Sequence, residues 1–252
     1  MIFATAEASH QHALTTLNML YEFDDFMASI GTLCDMGCGS GLDLQWWATR
    51  TTRDLENPQP LNINCTGIDL LPRARVLDGL RKLRYLQQDI EATVQIERRP
   101  FDVIWCHDTF QYLLDPLQTL RQWRDITAEN GMLCIVVPQT TNLEFNTQAF
   151  EQVSGVYYHW TLVSLIHCLA VTGWDCAGGF FRKMPDDPWL HAVVYRSDQA
   201  PRDPKTTTWY ELADSGLLPA SAVKGITRHG YLRQRDLTLP WLDKSLMDFR
   251  KH

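Results

Sequence analysis

The chain has 252 residues, of which 45% are hydrophobic and 21% are charged, and its formal net charge is −7. This length and composition suit one soluble globular domain with appendages, and they argue against a disordered or membrane-spanning chain. An acidic protein gains nothing from contact with a phosphate backbone, so a nucleic-acid partner is disfavoured from the outset unless a local basic patch supplies the contact.

The cysteines and the apolar runs indicate the compartment. Seven cysteines are scattered through strand-like runs with no CxxC pair, so no disulfide framework is expected and a reducing environment fits. The opening MIFATAEASHQH lacks the basic start and apolar core of a signal peptide, and the most apolar long run, WTLVSLIHCLAVTGW, is too short for a bilayer. We therefore expect a cytoplasmic protein with no membrane partner.

Hydrophobic periodicity predicts the elements of the first half of the chain in order. Leucines at helical spacing indicate two short helices over residues 8–30, ending before Gly31. TLCDMG is predicted as a buried strand that enters a glycine turn, and LDLQWWATRT as the helix after it. A polar, proline-containing loop then precedes a second strand, INCTGIDL, and a predicted helix over residues 72–83.

The second half continues the alternation of strand and helix. RYLQQDIEA and FDVIWCHD are predicted strands, the latter apolar throughout and therefore covered on both faces. A helix over residues 114–131 is expected to stop at Asn130-Gly131, before a fifth strand, MLCIVVPQT. A helix over residues 160–173 precedes two closing strands, WDCAGGFFRKM and LHAVVYRS, and a linker leads to one or two further helices.

Strand and helix thus alternate five times before a late pair of strands. This order predicts a doubly wound α/β fold with a mainly parallel, seven-stranded sheet and one antiparallel insertion near its end. The chain divides into an N-terminal helical cap (residues 1–30), a ligand-binding domain (residues 31–198) and a C-terminal helical extension (residues 199–252). In such sheets the ligand lies at the carboxyl ends of the strands.

The glycine turn after the first strand indicates the kind of ligand. Glycines at positions 37, 39 and 41 allow positive φ angles and let a ligand approach bare backbone. The spacing is GxGxG rather than the GxGxxG of dinucleotide sites, and no Lys-Ser/Thr pair follows as in a P-loop. Asp35, just before the turn, would repel a pyrophosphate and suits a ligand that carries a positive amine.

The stretch LCDMGCGSG resembles the first motif of the class I S-adenosylmethionine (SAM) methyltransferases, and the later motifs follow in order from Leu33 to about Arg196. The resemblance implies SAM as cofactor, S-adenosylhomocysteine as product and N-terminal helices over the cofactor pocket. It also implies that the turn wraps the methionine part of SAM and that acids at strand ends bind the ribose and the adenine. The cofactor-binding residues implied are Asp35, Gly37, Cys38, Gly39 and Gly41 at the turn, Asp69 (ribose) with Leu70, Asp89 (adenine) with Ile90, and His107 with Asp108 beside the transferable methyl group.

These assignments have alternatives, and the chain departs from the family in two places. An aspartate after a strand is often a helix cap or a turn former, and Asp35 could hold the turn by hydrogen bonds. The loop before the second strand is longer than usual, with TTRDLENPQPLN inserted. Gln111-Tyr112 also stands where many small-molecule members carry Glu-His, so an expected proton acceptor is missing.

Methyl transfer from a sulfonium is an in-line displacement, so a base is needed only when the nucleophile arrives protonated. The catalytic candidates are His107, His159 and Tyr112. His107 could instead merely line the pocket, and Tyr112 could pack or bind substrate, since the high ordinary pKa of a tyrosine makes it a poor base. His159 lies in GVYYHWT, whose alternative role is a hydrophobic staple before a helix capped by Thr161. Candidate substrate contacts after the fifth strand are Gln139 and Asn142.

The predicted activity is SAM-dependent methyl transfer to a small molecule, by a monomer or homodimer with no metal site. No NPPY-type tetrad follows the fourth strand, which argues against amino groups of DNA bases or of glutamine. The first alternative is a tRNA or other RNA methyltransferase that uses KGITRHGYLRQR, although that stretch also fits a solvated helix face. The others are a catalytically silent SAM-fold binding protein and a nicotinamide dehydrogenase, which would need a different glycine spacing.

Overall fold

A computed structural model of the chain describes residues 6–92, 100–139, 157–183 and 189–233, together with residues 237 and 239. The strands in these residues are β1 (Thr32–Met36), β2 (Asn64–Asp69), β3 (Leu83–Gln87), β4 (Phe101–His107), β5 (Thr127–Pro138), β6 (Trp174–Lys183) and β7 (Trp189–Arg196). They form one sheet in the order β3-β2-β1-β4-β5-β7-β6, in which only β7 pairs antiparallel with its neighbours. The predicted fold class is confirmed, including the antiparallel strand near the end.

The described residues also contain seven α-helices and two short 3-10 turns, at Arg75–Leu77 and Phe110–Tyr112. The helices are α1 (Ala6–Tyr21), α2 (Asp24–Ser29), α3 (Leu42–Ala48), α4 (Pro116–Asp125), α5 (Leu162–Val171), α6 (Trp209–Asp214) and α7 (Ala220–His229). They confirm the predicted helices of the N-terminal segment, after the glycine turn and before the closing strands. None of the helices in the described ranges is long and apolar enough to cross a bilayer.

Strand β4 shows how the sheet is buried on both faces. Successive side chains of a strand point to opposite faces, and here both sets are apolar and buried. Val103 and Trp105 join the core layer that contains α1 and α3, whereas Ile104 and Cys106 join the layer that contains α4 and α5. This two-sided burial leaves the carboxyl ends of the strands as the edge at which side chains can meet a ligand.

The prediction of an α-helix over residues 72–83 is wrong. The structure has only the 3-10 turn at Arg75–Leu77 there, and β3 begins at Leu83. Gly79 and Lys82 adopt positive φ angles of 78° and 58°, which no α-helix accommodates. Leu77 is the one fully buried side chain of the turn, and it packs beside Gly41.

The helix predicted over residues 114–131 ends earlier than expected, because α4 stops at Asp125 and β5 begins at Thr127. Pairing with β4 takes over at this point: the Phe101 amide donates to the Ile126 carbonyl at 2.8 Å, and Phe101 is in register with Thr127. The Thr127 hydroxyl closes the helix end by donating to the Trp123 carbonyl at 2.7 Å. Tertiary pairing therefore overrides the helix-stop signal at Asn130-Gly131.

Candidate active site

The three glycines after β1 differ in what surrounds them. Gly37, Gly39 and Gly41 have φ angles of 80°, 44° and 77°, a region that non-glycine residues seldom adopt. A Cβ atom at position 37 would lie 2.3 Å from the Thr109 side chain, and one at position 41 would lie 2.8 Å from Leu77. A Cβ at position 39 would meet nothing closer than 3.9 Å. Packing therefore selects glycine at 37 and 41, whereas Gly39 borders open space.

That open space is a cavity of ≈ 360 Å³ between the glycine turn, the end of β4 and helix α1. A second cavity of ≈ 130 Å³ adjoins the first. Four residues line both cavities: Gly37, Asp69, Thr109 and Tyr112. The larger cavity is also lined by His10, Asp35, Cys38, Gly39, Ser40, Asp43, Leu71, His107 and Asp108. The smaller cavity is also lined by Leu70, Asp89, Ile90, Glu91 and Leu113. The structure thus brings the predicted residues of four strand ends to one crevice.

Asp69, at the end of β2, connects the glycine turn to its neighbouring strand. One carboxylate oxygen accepts a hydrogen bond from the Gly39 amide at 2.7 Å, and the other accepts from the Leu71 amide at 2.8 Å. Each oxygen of a carboxylate has a second lone pair, so both remain able to accept from a ligand in either cavity. Asp69 therefore has a structural role that sequence analysis left as an alternative, and its position also allows the ribose role.

Asp35 is a buried acid without a full set of partners. Its side chain lies in β1 and is 2% exposed, and its Oδ2 atom has no hydrogen-bond partner among the described residues. Burial, followed by the negative charges of Asp43 and Asp69, raises the pKa of Asp35 well above the usual range of an aspartate. A cationic group entering the cavity would lower the pKa of Asp35, because its positive charge would favour the ionised carboxylate.

Asp43, in the first turn of α3, is also buried, but several hydrogen-bond donors reach its carboxylate. Its carboxylate accepts hydrogen bonds from Trp105 at 2.9 Å, from the Nδ1 of His107 at 2.8 Å and from the Nδ1 of His10. Burial opposes its ionisation, but the hydrogen bonds from His10 and His107 outweigh that cost and lower the pKa of Asp43 to about 2. Asp43 is therefore ionised despite its burial.

His107, the last residue of β4, uses one ring nitrogen and leaves the other unused. Its Nδ1 contacts Asp43, whereas its buried Nε2 has no partner among the described residues. The ring also lies against Trp189, with ring centroids 5.6 Å apart. Although His10, Asp43 and His107 converge, the described residues hold no group of three or more histidine, cysteine or acidic side chains suited to a metal ion. The two histidines instead share one carboxylate as hydrogen-bonding partners.

Sequence analysis missed His10 and Asp43. His10 lies 33 residues before Asp43, and His107 lies 64 residues after it, so no local spacing links them. The sequence offered little signal, since Asp43 lies in the first turn of α3, where an acid is common. A buried acid needs hydrogen-bond donors, but the sequence does not say which donors reach it.

The remaining catalytic candidates differ in position. Tyr112 lines both cavities and is 40% exposed, and burial followed by the charge of Asp108 raises the pKa of its hydroxyl, which makes it a still weaker base. His159 is exposed and is absent from the lining of either cavity, as far as the described residues define it.

Thr161 caps α5 as the alternative interpretation expected. Gln139 forms a bridge with Trp160, and Asn142 lies outside the described residues.

Comparison with known proteins identifies the domain. Residues 34–135 match a family model described as a methyltransferase domain, and this segment holds the glycine turn, both strand-end acids and His107. Residues 34–135 are thus similar to a methyltransferase domain. The family resemblance predicted from the glycine turn is confirmed for these residues. No curated protein sequence matches the chain.

Several solved structures share the fold of this chain at low sequence identity. The plantazolicin methyltransferase BpumL, solved with S-adenosylhomocysteine, is 18% identical with a TM-score of 0.54, covering 76% of this chain and 86% of its own. A 1,6-didemethyltoxoflavin N1-methyltransferase of Burkholderia thailandensis, also solved with S-adenosylhomocysteine, is 12% identical with a TM-score of 0.51, covering 79% and 93%. A chain from a complex of the Haloferax volcanii Trm112 methyltransferase activator with a methyltransferase is 18% identical with a TM-score of 0.50, covering 75% and 95%.

Proposed function

We propose that this protein binds SAM in the two adjoining cavities and transfers its methyl group to a small molecule. The observation that carries the proposal is Asp35, whose buried Oδ2 lacks a partner beside the open face of Gly39. A buried, incompletely paired acid is costly unless a ligand completes its hydrogen bonding. The α-amino group of SAM has the charge and the donors to do so. The carboxylates of the larger cavity also suit the positive sulfonium.

The shape of the crevice supports a division of the cofactor between the cavities. The methionine part would occupy the ≈ 360 Å³ cavity along the glycine turn, and the adenine would enter the ≈ 130 Å³ cavity. Asp69, which lines both, would accept from the ribose hydroxyls at the boundary. Asp89 and Ile90 would contact the edge of the adenine, and Leu70, which is 67% exposed, would gain a partner for its apolar surface.

A small acceptor fits the charge of the crevice better than RNA does. Four aspartates line the larger cavity, at positions 35, 43, 69 and 108, and an acidic lining repels a phosphodiester. In the C-terminal extension, Lys224 and Arg228 are exposed on α7, as a solvated helix face requires. RNA therefore remains the alternative acceptor that the labelling experiment distinguishes.

The first experiment has two stages. Calorimetry with SAM and S-adenosylhomocysteine tests cofactor binding, and the absence of binding to the full chain would refute the proposal. Incubation with methyl-labelled SAM and a cell extract, followed by separation of small metabolites, protein and RNA, then identifies the acceptor class. We expect the label in small metabolites. Label in RNA would support the RNA alternative, and cofactor binding without any transfer would support the silent binding protein.

Replacing the acid at the end of β2 tests where the ribose lies. Asp69→Ala is expected to weaken S-adenosylhomocysteine binding by about 1–3 kcal/mol, because the ribose hydroxyls of the ligand and the Gly39 amide both lose the carboxylate that accepts their hydrogen bonds. Titration calorimetry measures the change. Asp78→Ala is the matched control, since Asp78 is an exposed acid that forms a 3.7 Å ion pair with Arg73. Equal affinities of wild type and Asp69→Ala would show that the ribose binds elsewhere.

A further inference from the structure

Binding of the proposed cofactor does not by itself explain why His107 and Asp43 form a buried, hydrogen-bonded pair. The Nδ1 of His107 is held 2.8 Å from the Asp43 carboxylate, and its Nε2 is buried without a partner among the described residues. Asp43 is kept in place by further hydrogen bonds from Trp105 at 2.9 Å and from His10. Both members of the pair line the larger cavity. An imidazole held in this way has a fixed tautomer, with its proton on Nδ1 and a lone pair on Nε2.

We propose that His107 is the general base that deprotonates the methyl acceptor, that Asp43 is its positioning residue, and that the reacting atom of the acceptor is a hydroxyl oxygen. This inference rests on the proposed function, because it concerns the acceptor side of the same crevice. It goes beyond the sequence prediction of His107 as a candidate, since it assigns the proton-accepting atom, the residue that orients it and the class of acceptor.

The transfer step balances with these groups alone. The acceptor oxygen attacks the methyl carbon, forming an O–CH₃ bond while the CH₃–S bond breaks and its electron pair stays on sulfur. Nε2 of His107 takes the hydroxyl proton in the same step, and the resulting imidazolium is stabilised by the ionised Asp43. The imidazolium then returns the proton to water. A neutral amine would not need this base for its attack, because its lone pair is already free, whereas a hydroxyl gains from removal of its proton.

The electrostatic surroundings of the pair come from four elements. The other titratable groups that line the same cavity are His10 on α1, Asp35 on β1 with Cys38 in the glycine turn that follows it, Asp69 at the end of β2, and Asp108 and Tyr112 after β4. The acids favour a positive charge on the imidazole at the moment of transfer. His10 acts on the second oxygen of Asp43 and also ties α1 to the edge of the cavity. We therefore expect His10→Ala to loosen both the carboxylate and the N-terminal helix.

Nuclear magnetic resonance tests the tautomer without any acceptor. In protein whose histidines are labelled with ¹⁵N, wild type with S-adenosylhomocysteine is expected to show the proton of His107 on Nδ1, and His107→Gln assigns the signal by its loss. Asp43→Asn should change the tautomer, because an amide can donate to Nδ1 where the carboxylate could only accept. A wild-type His107 that carries its proton on Nε2, or one that is unaffected by Asp43→Asn, would overturn the proposal.

Kinetics with methyl-labelled SAM and the extract fraction that accepts label test the base itself. His107→Gln is expected to lower transfer at saturating SAM by about 10²–10⁴-fold, and Asp43→Asn by a smaller factor. Calorimetry with S-adenosylhomocysteine measures the cofactor affinity of each variant separately, so that rates are compared at equal occupancy. The residual rate of His107→Gln should rise with pH, because the hydroxyl must then ionise unaided. His167→Gln is the matched control, since that partly buried ring packs on Trp209 away from both cavities.

The outcomes separate this inference from the proposed function. Loss of S-adenosylhomocysteine binding by wild type refutes the cofactor site itself. Normal binding with undiminished transfer by His107→Gln refutes only the base. A labelled product methylated on nitrogen or carbon, or a residual rate in His107→Gln that does not depend on pH, refutes the hydroxyl acceptor.

Discussion

A Gly39→Val protein is expected to keep its fold at some cost in backbone strain and to bind S-adenosylhomocysteine about 100-fold more weakly than wild type, an effect of about 3 kcal/mol. A Cβ atom at position 39 would lie no closer than 3.9 Å to another protein atom. It would instead project into the ≈ 360 Å³ cavity that we assign to the methionine part of the cofactor. The loss should therefore appear in binding, measured by calorimetry, and much less in the overall fold, measured by circular dichroism.

The matched control separates the loss of space from backbone strain. Gly216 also has a positive φ angle, of 76°, and also has open space around its Cβ position, but it lies in the C-terminal extension. Gly216→Val thus carries a comparable conformational penalty with no effect on the cavity. Wild-type affinity in Gly39→Val, or equal losses of affinity in the two variants, would show that the ligand does not pass close to the turn.

Binding of S-adenosylhomocysteine is expected to release a proton and to become tighter as the pH rises. Burial and the charges of Asp43 and Asp69 raise the pKa of Asp35, so the free protein holds a proton there above the usual range of an aspartate. The ammonium group of the ligand favours the ionised form, so the proton leaves on binding. By linkage, affinity rises by up to about tenfold per pH unit while Asp35 is protonated in the free protein, and becomes constant above that range.

Calorimetry in buffers of different ionisation enthalpy measures the released proton, and Asp35→Asn provides the control. The variant cannot ionise, so its affinity should be weaker at high pH and should no longer depend on pH in this range. A raised pKa in the folded state means that burial of Asp35 costs more stability as the pH rises through it. Asp35→Asn should therefore be at least as stable as wild type at high pH in thermal unfolding. Proton uptake on binding by the wild type would contradict the assignment.

Local patterns made the fold and the cofactor side of the crevice predictable. The glycine turn, Asp69 and Asp89 each follow a strand within a few residues, and parallel strands bring their carboxyl ends to one edge of the sheet. The helix predictions over residues 72–83 and 114–131 failed because the structure there does not follow from the local pattern. In the first, a weak helical pattern gave way to residues of positive φ, and in the second, pairing between β4 and β5 replaced the last turns of a helix. Both depend on neighbours that a window of sequence does not contain.

The sequence by itself determined the order of strands and helices, the turn that leaves backbone open to a ligand, and the acids that follow the strands. It could not distinguish Asp35 from Asp43, two aspartates eight positions apart. Only the tertiary structure decided that Oδ2 of Asp35 has no partner within the described part of the chain and that Asp35 resists ionisation, whereas Asp43 receives hydrogen bonds from α1 and β4 and is ionised. The physical reason is that the ionisation of a buried acid depends on desolvation and on the donors that reach it, and here those donors lie 33 to 64 residues away along the chain.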